Sequence, residues 1–157
     1  MVKLLKKFTV LLSLVFLSAN GFGMSIFGAG NACVFSEVSG YLTFNGEPLK
    51  GATVTRVSEW QKENTESTVS DENGHFHFDA LHQASASKLI PFTEFVASQS
   101  ISVGVDGESY EIWSNTKRDG DENSELGGKN LKLKCEISDE LRLVEDYGTL
   151  LVTNCTW

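Results

Sequence analysis

The first residues that could do chemistry form a short alternating stretch, in which His75, His77 and Asp79 are separated by phenylalanines. Imidazole and carboxylate groups bind transition metals, and residues two apart in a strand project from one face. His82 lies nearby, so a metal site can be drawn there. However, inward-pointing phenylalanines would also force these neighbours into water, and the triplet lacks the closed ligand set of structural zinc. We expect surface residues, no metal and no other cofactor.

A second stretch resembles the start of a calcium-binding loop, with Asp119, Asp121 and Asn123 at alternate positions. Such a loop requires a glycine for its sharp turn and a bidentate glutamate at its end. Ser124 and Asn130 stand at those two positions. We therefore expect a solvated acidic loop.

No nucleophile elbow, phosphate-binding loop or dinucleotide fingerprint occurs in the sequence. We expect the chain not to be an enzyme and to act by binding. Exposed aromatic residues serve as interface anchors, and acidic groups attract cationic partners. The candidate binding residues are Trp60, Tyr110, Trp113, Asp119, Asp121, Glu122 and Glu125. The alternative for Trp60 and Trp113 is that both pack into the core.

The elements that would position these residues are short strands separated by turns. Apolar residues alternate with polar ones in several segments, which is the period of half-buried strands. The predicted strands are 38–44, 52–60, 68–70, 76–80, 101–105, 110–113, 131–137 and 148–155. Connections are expected at 61–66, 117–129 and 138–147, with a helical turn or two over 81–91. This pattern predicts an all-β sandwich.

The N-terminus is typical of an export signal, with a basic start, an apolar stretch and small residues near Ala19. We divide the chain into a signal peptide (1–19), an N-terminal extension (20–36) and a β-sandwich domain (37–157). An uncleaved membrane anchor ending near Phe27 is the alternative, although the apolar stretch is short for a span. Removing the leader takes away three basic residues and no acidic ones, which leaves a net charge of −11.

This charge disfavours nucleic acid and anionic lipid and favours a cationic protein partner. We therefore expect a bacterial periplasmic or extracellular protein without a membrane span in its mature form. In such an oxidising compartment, the three cysteines predict one disulfide and one free thiol. Lipidation of Cys33 is an alternative means of attachment.

Residues 40–54 (GYLTFNGEPLKGATV) and 71–78 (DENGHFHF) together resemble the carboxypeptidase regulatory-like, or transthyretin-like, domains. The resemblance covers about the first third of the mature chain and implies a transthyretin-like Greek-key β-sandwich of seven or eight strands. The remainder resembles a bacterial family of unknown function, through Cys33-Val-Phe-Ser, 110–113, Lys117-Arg118, 123–128 (NSELGG) and the Cys-Thr-Trp157 ending. The fold also includes hydroxyisourate hydrolases, but their Tyr-Arg-Gly-Ser ending is absent here.

The transthyretin-like arrangement implies a disulfide between Cys33 and Cys155, with Cys135 as a buried thiol. In that arrangement the first strand runs parallel to the second-last, and the last strand returns antiparallel beside it. Cys33 and Cys155 would then share one edge of the sandwich. A simple hairpin of the last two strands would hold Cys135 and Cys155 roughly 16 Å apart at 3.3 Å per residue, too far for a bridge.

These observations favour a non-catalytic, exported protein-binding module, such as an immunity or inhibitor protein against a secreted toxin. Two other classes stay open. One is an accessory module that binds carbohydrate or envelope components, which coplanar exposed aromatic residues would favour. The other is a metal-dependent enzyme, which metal retained through purification would favour.

Overall fold

The computed structural model describes residues 30–84 and 94–157. The predicted signal peptide and part of the predicted 81–91 helical turn lie outside the described residues. The strands are β1 (Asn31–Phe35), β2 (Val38–Phe44), β3 (Glu47–Pro48), β4 (Thr53–Glu59), β5 (Glu63–Val69), β6 (His75–Phe78), β7 (Leu81–Ala84), β8 (Ala97–Val105), β9 (Glu108–Lys117), β10 (Leu131–Glu136), β11 (Arg142–Val144), β12 (Leu150–Thr153) and β13 (Cys155–Thr156).

Two larger sheets form the sandwich. The six-stranded sheet has the order β11-β12-β9-β8-β4-β5, and the five-stranded sheet has the order β13-β10-β2-β3, with β6 also paired to β2. The all-β prediction is therefore confirmed. The described residues form more strands than the expected seven or eight, because several of them, including β1 and most of β5, were not recognised in the sequence. Within the described part of the chain, no helix has the length and apolar character needed to cross a membrane.

The core lies between these two sheets because apolar residues alternate along their strands. In β2, for example, Val38 and Leu42 are fully buried, and in β8 the same is true of Ile101 and Val103. The largest apolar side chain of the core is Trp113, which has no exposed surface. The outward residues of the same strands remain available to build a surface.

β2 ends in a two-residue turn, as the Asn-Gly pair predicts. Phe44 pairs with Glu47, and the intervening Asn45 and Gly46 have φ angles of 54° and 83°. Two successive left-handed residues are typical of hairpin turns, and glycine and asparagine tolerate that conformation best. Glu136 accepts hydrogen bonds from the backbone N–H groups of Asn45 (2.8 Å) and Gly46 (2.9 Å) and so ties the turn to β10.

The predicted disulfide is wrong: the structure joins Cys135 to Cys155, and Cys33 is the buried free thiol. β10 does run parallel to β2, as the predicted arrangement requires. The error lies in the expected final strand of residues 148–155. It splits into β12, which belongs to the six-stranded sheet, and β13, which returns to β10 with Cys155 directly opposite Cys135. Because β12 joins the other sheet before β13 returns to β10, Cys155 is not displaced from Cys135 as it would be in a simple hairpin.

The N-terminal extension is also more than a tail. Its residues Asn31–Phe35 form β1, which pairs with β7 in a two-stranded sheet. β7 occupies Leu81–Ala84, where a helical turn was predicted, so that prediction is wrong for these residues. Cys33 is only 2% exposed, and its backbone N–H donates to the carbonyl of Gly120 at 2.8 Å. Acylation of Cys33 would require β1 to leave this position.

Two predicted connections contain strands instead. Residues 61–66 lie largely in β5, an edge strand whose side chains are mostly exposed and polar. Residues 138–147 include β11, the opposite edge of the six-stranded sheet. Both strands lack clear alternation because an edge strand has few neighbours to bury it.

Candidate binding groove

The outer face of the five-stranded sheet carries two rows of polar and aromatic side chains. β10 lies parallel to β2 on one side, and β6 lies antiparallel to β2 on the other. The registers align one residue from each strand in every row. The rows are Lys132–Ser39–His77 and Lys134–Tyr41–His75. All six side chains therefore face away from the core.

These rows line an open groove of about 720 Å³, which we call the Tyr41 groove. Thr68, Val69 and Asp71 form its wall beside β6. The rings of Tyr41 and His75 lie 5.4 Å apart at an angle of 48°, a contact typical of aromatic neighbours. Val69 is 60% exposed and adds an apolar surface to the wall. The groove thus combines aromatic, apolar and cationic groups.

The histidines of the groove belong to two separate pairs. His75 Nδ1 lies 3.5 Å from a carboxylate oxygen of Asp71, and His77 Nε2 lies 3.2 Å from a carboxylate oxygen of Asp79. His82 pairs instead with Glu122 at 3.2 Å. Among the described residues, no group of three or more histidine, cysteine or acidic side chains has the geometry to hold a metal ion. In this structure each candidate histidine lies beside a carboxylate on the protein surface.

Asp71 is committed to the turn that precedes β6. Its carboxylate accepts hydrogen bonds from the backbone N–H groups of His75 (2.9 Å) and Asn73 (2.8 Å). These bonds, led by that from His75, lower the pKa of Asp71 below its usual value. The carboxylate therefore stabilises the turn as an anion and holds His75 at the edge of the groove.

The three aromatic candidates do not share a surface. Trp113 is fully buried in the core, so its assignment as an exposed anchor is wrong. Tyr110 is half-buried, with its ring 5.9 Å from that of Phe44. Trp60 is half-buried too, with its ring 4.9 Å from that of Phe95. Trp113 points inward because a bulge in the β8–β9 pairing shifts the register beside it.

The acidic candidates divide into three exposed residues and one buried residue. Asp119, Asp121 and Glu122 are exposed and line a second groove of about 450 Å³. Glu125 has no exposed surface, so its assignment as a surface binding residue is wrong. It lies in a short 3-10 turn, Ser124–Leu126, that folds into the protein. The segment 117–129 was expected to be an exposed loop. It is instead buried at Lys117, Glu125 and Leu126.

Glu125 forms a buried ion pair with Lys117, in which Nζ and Oε1 are 3.0 Å apart. Ser36 donates from its backbone N–H to Oε1 and from its hydroxyl to Oε2, at 3.0 and 2.7 Å. Gln99 adds a bond of 2.9 Å to Oε1. Desolvation raises the pKa of Glu125, but the charge of Lys117 and these hydrogen bonds outweigh it and lower the pKa.

A serine, a lysine and a glutamate in mutual contact have the residue types of a hydrolytic site. Ser36, Lys117 and Glu125 are all fully buried in this structure, however. Cys33 lies beside this cluster, with its sulfur 3.7 Å from the hydroxyl of Ser36. Desolvation raises the pKa of Cys33, with partial compensation by Lys117, and a protonated buried thiol is a poor nucleophile. The cluster fastens β1 to the 117–126 segment.

Tyr41, Lys132 and Lys134 were not among the binding residues predicted from the sequence. In the sequence, each of them is only a residue predicted to point outward from an alternating strand. The available signal was the parallel pairing of the first strand with 131–137, which brings outward residues from distant segments onto one face.

Comparison with known proteins identifies a family. A family model described as a domain of unknown function (DUF6795) matches residues 38–140. This match includes β2, β6 and β10, which carry the Tyr41 groove. No curated protein matches the chain significantly.

Proposed function

We propose that this chain, which belongs to the DUF6795 family, is a non-catalytic module that binds a protein partner through the Tyr41 groove. The observation that supports this proposal is the composition of the groove. Tyr41 lies between His75 and Lys134, on a sheet face that is not covered by another described element. Tyrosine is one of the side chains that commonly anchor protein interfaces.

The shape of the groove supports binding over catalysis. It is open rather than enclosed, and catalysis gains most in a site that excludes water. The carboxylate of Asp71 is already engaged by two backbone N–H groups. The cluster around Ser36, which has catalytic residue types, is buried in this structure. An immunity or inhibitor role would be one specific form of the proposed recognition.

The disulfide supports action outside the cytoplasm. Cys135 and Cys155 are bonded, and such bonds persist mainly in oxidising compartments. Export is also what the basic and apolar N-terminus predicts. A carboxypeptidase regulatory-like ancestry is part of the same proposal, since the motif residues 40–54 and 71–78 form the strands and turns around the groove.

Site-specific crosslinking in envelope extracts tests the proposal. A photoreactive amino acid at Ser39, inside the groove, should capture a protein partner. The same group at Thr116, on the outer face of the six-stranded sheet, should not capture it. Equal capture at both positions, or capture only at Thr116, would refute the groove as the binding site. Capture at Ser39 should also be lost in the Tyr41→Ala variant, which removes the central aromatic ring.

A further inference from the structure

The Tyr41 groove is locally cationic, whereas the molecule as a whole is acidic. The chain without its leader carries a net charge of −11. The groove, in contrast, is lined by two lysines and one carboxylate, that of Asp71. Among the described residues, neither Lys132 nor Lys134 forms an ion pair. Two free cations on an acidic protein indicate a local preference for an anionic group.

The spacing of the lysines matches that of an extended peptide. Lys132 and Lys134 are two residues apart on β10 and face the same way. Successive residues on one face of a strand are roughly 6.6 Å apart at 3.3 Å per residue. A peptide laid over β2 in extended conformation repeats its side chains with that same spacing. Carboxylates at alternate positions could therefore meet both ammonium groups.

Acidic residues limit the cationic stretch at both ends. Glu37 precedes Ser39 by two residues and lies in the small polar cavity beside Lys132. Glu136 follows Lys134 by two residues, and hydrogen bonds from Ser138, Gly46 and Thr43 outweigh its desolvation and hold its pKa at about 2. It is therefore anionic at neutral pH. A third or fourth acidic residue on the peptide would meet one of these carboxylates and be repelled.

Resting on the proposed function, we infer that the groove recognises an extended partner segment in which two acidic residues are separated by one other residue. The two carboxylates bind Lys132 and Lys134, and the backbone between them runs along β2 from Ser39 to Tyr41. The long-range charge of the module favours a partner that is cationic elsewhere. The lysines then select the segment of that partner that carries the acidic pair.

Titration of labelled protein with short synthetic peptides, followed by NMR shift changes at Tyr41, Lys132 and Lys134, tests this inference. The first peptide carries Glu at positions i and i+2 within a threonine- and valine-rich sequence that favours extension. The comparison peptides carry Gln at both positions, or the two Glu residues next to each other. We expect the first to bind several-fold more tightly than either comparison, and the preference to fade as salt rises to about 0.5 M.

Charge reversal supplies the matched variants. Lys132→Glu with Lys134→Glu should weaken binding of the first peptide by about tenfold, since two attractions become repulsions. Lys62→Glu with Lys129→Glu makes the same change in net charge outside the groove and should leave binding within about twofold. Equal weakening in both double variants would show that only net charge matters and would overturn the inference.

Two further results would also overturn it while sparing the proposed function. One is loss of peptide preference with crosslinking at Ser39 retained. The other is binding of a uronic-acid polysaccharide at the same lysines in preference to every peptide. Absence of crosslinking at Ser39, in contrast, would remove the proposed function itself. The two failures are therefore distinguishable.

Discussion

The ring of Phe76 fills the space that a side chain at residue 40 would need. Gly40 and Phe76 are paired in the β2–β6 register, and a Cβ atom built on Gly40 would lie 2.2 Å from Cε1 of Phe76. Two non-bonded carbon atoms do not approach that closely, so one of the two groups would have to shift. Glycine is therefore required here by packing beneath the Tyr41 groove, in addition to any turn requirement elsewhere.

Gly40→Ala should therefore destabilise the protein by about 1–3 kcal/mol, the usual cost of overpacking a core. Urea denaturation followed by circular dichroism would measure it. Gly104→Ala is the control, because the atom nearest to its new Cβ would be 3.7 Å away. Adding Phe76→Leu to Gly40→Ala should recover part of the loss. Equal stability of the two alanine variants would contradict this account.

The buried ion pair gives a second prediction. Lys117→Met leaves the carboxylate of Glu125 buried without its cation, which typically costs about 3–5 kcal/mol. The control is Lys50→Met, since Lys50 and Glu72 form an exposed pair. An exposed pair contributes about 0–1 kcal/mol. Adding Glu125→Gln to Lys117→Met should restore part of the stability, which denaturant titration would report.

Glu136 predicts the response to acid. Its folded pKa of about 2 is below the usual 4.5, so the folded state binds fewer protons than the unfolded state between these values. Its contribution to stability is fully present above about pH 4.5 and is lost as the pH falls towards about 2. Glu125, whose pKa is also lowered, acts in the same direction.

The Glu136→Gln variant isolates this effect. It should be less stable than the parent at neutral pH, because glutamine cannot replace the charged acceptor of the 45–46 turn. It should also lose less stability between about pH 4.5 and about pH 2. Denaturant midpoints measured across this range for both proteins provide the comparison. Parallel pH profiles would show that Glu136 is not responsible.

Non-reducing peptide mapping should recover a peptide that links Cys135 to Cys155. Cys33 should resist alkylation in the native protein and react after unfolding, since it is 2% exposed. Replacing both Cys135 and Cys155 by serine should cost about 3 kcal/mol in the chain-entropy description of a short loop. A linked Cys33–Cys155 peptide would contradict the pairing described above.

The sequence was sufficient for the strands whose two faces differ. β2, β4, β8 and β10 each have one face in the core and one in water, so their residues alternate visibly. β1 was missed because Ala32–Phe35 are all buried, which removes the alternation. Most of β5 was missed, apart from residues 68 and 69, because it is an edge strand with both faces largely exposed. The alternation of apolar and polar residues reveals only strands with one buried face and one exposed face.

Long-range pairing explains the errors at the candidate site. Glu125 stands in an acidic run and reads as a surface residue, because its partners Ser36 and Lys117 are distant or unremarkable in sequence. Trp113 likewise reads as a binding residue until the bulge beside it is known. The Tyr41 groove required three separate strands to be ordered before its residues could be grouped.

The five-stranded sheet cannot be completed in the order in which the chain is synthesised. β2 begins at Val38, but its parallel neighbour begins at Leu131, and the bond that fixes that neighbour needs Cys155. One edge of β2 therefore stays unpaired until about a hundred further residues have been added. Contacts between residues so distant in sequence slow folding. An open strand edge is a template for pairing with other chains. The edge of β2 is therefore most open to pairing with other chains before residues 131–136 are available to cover it.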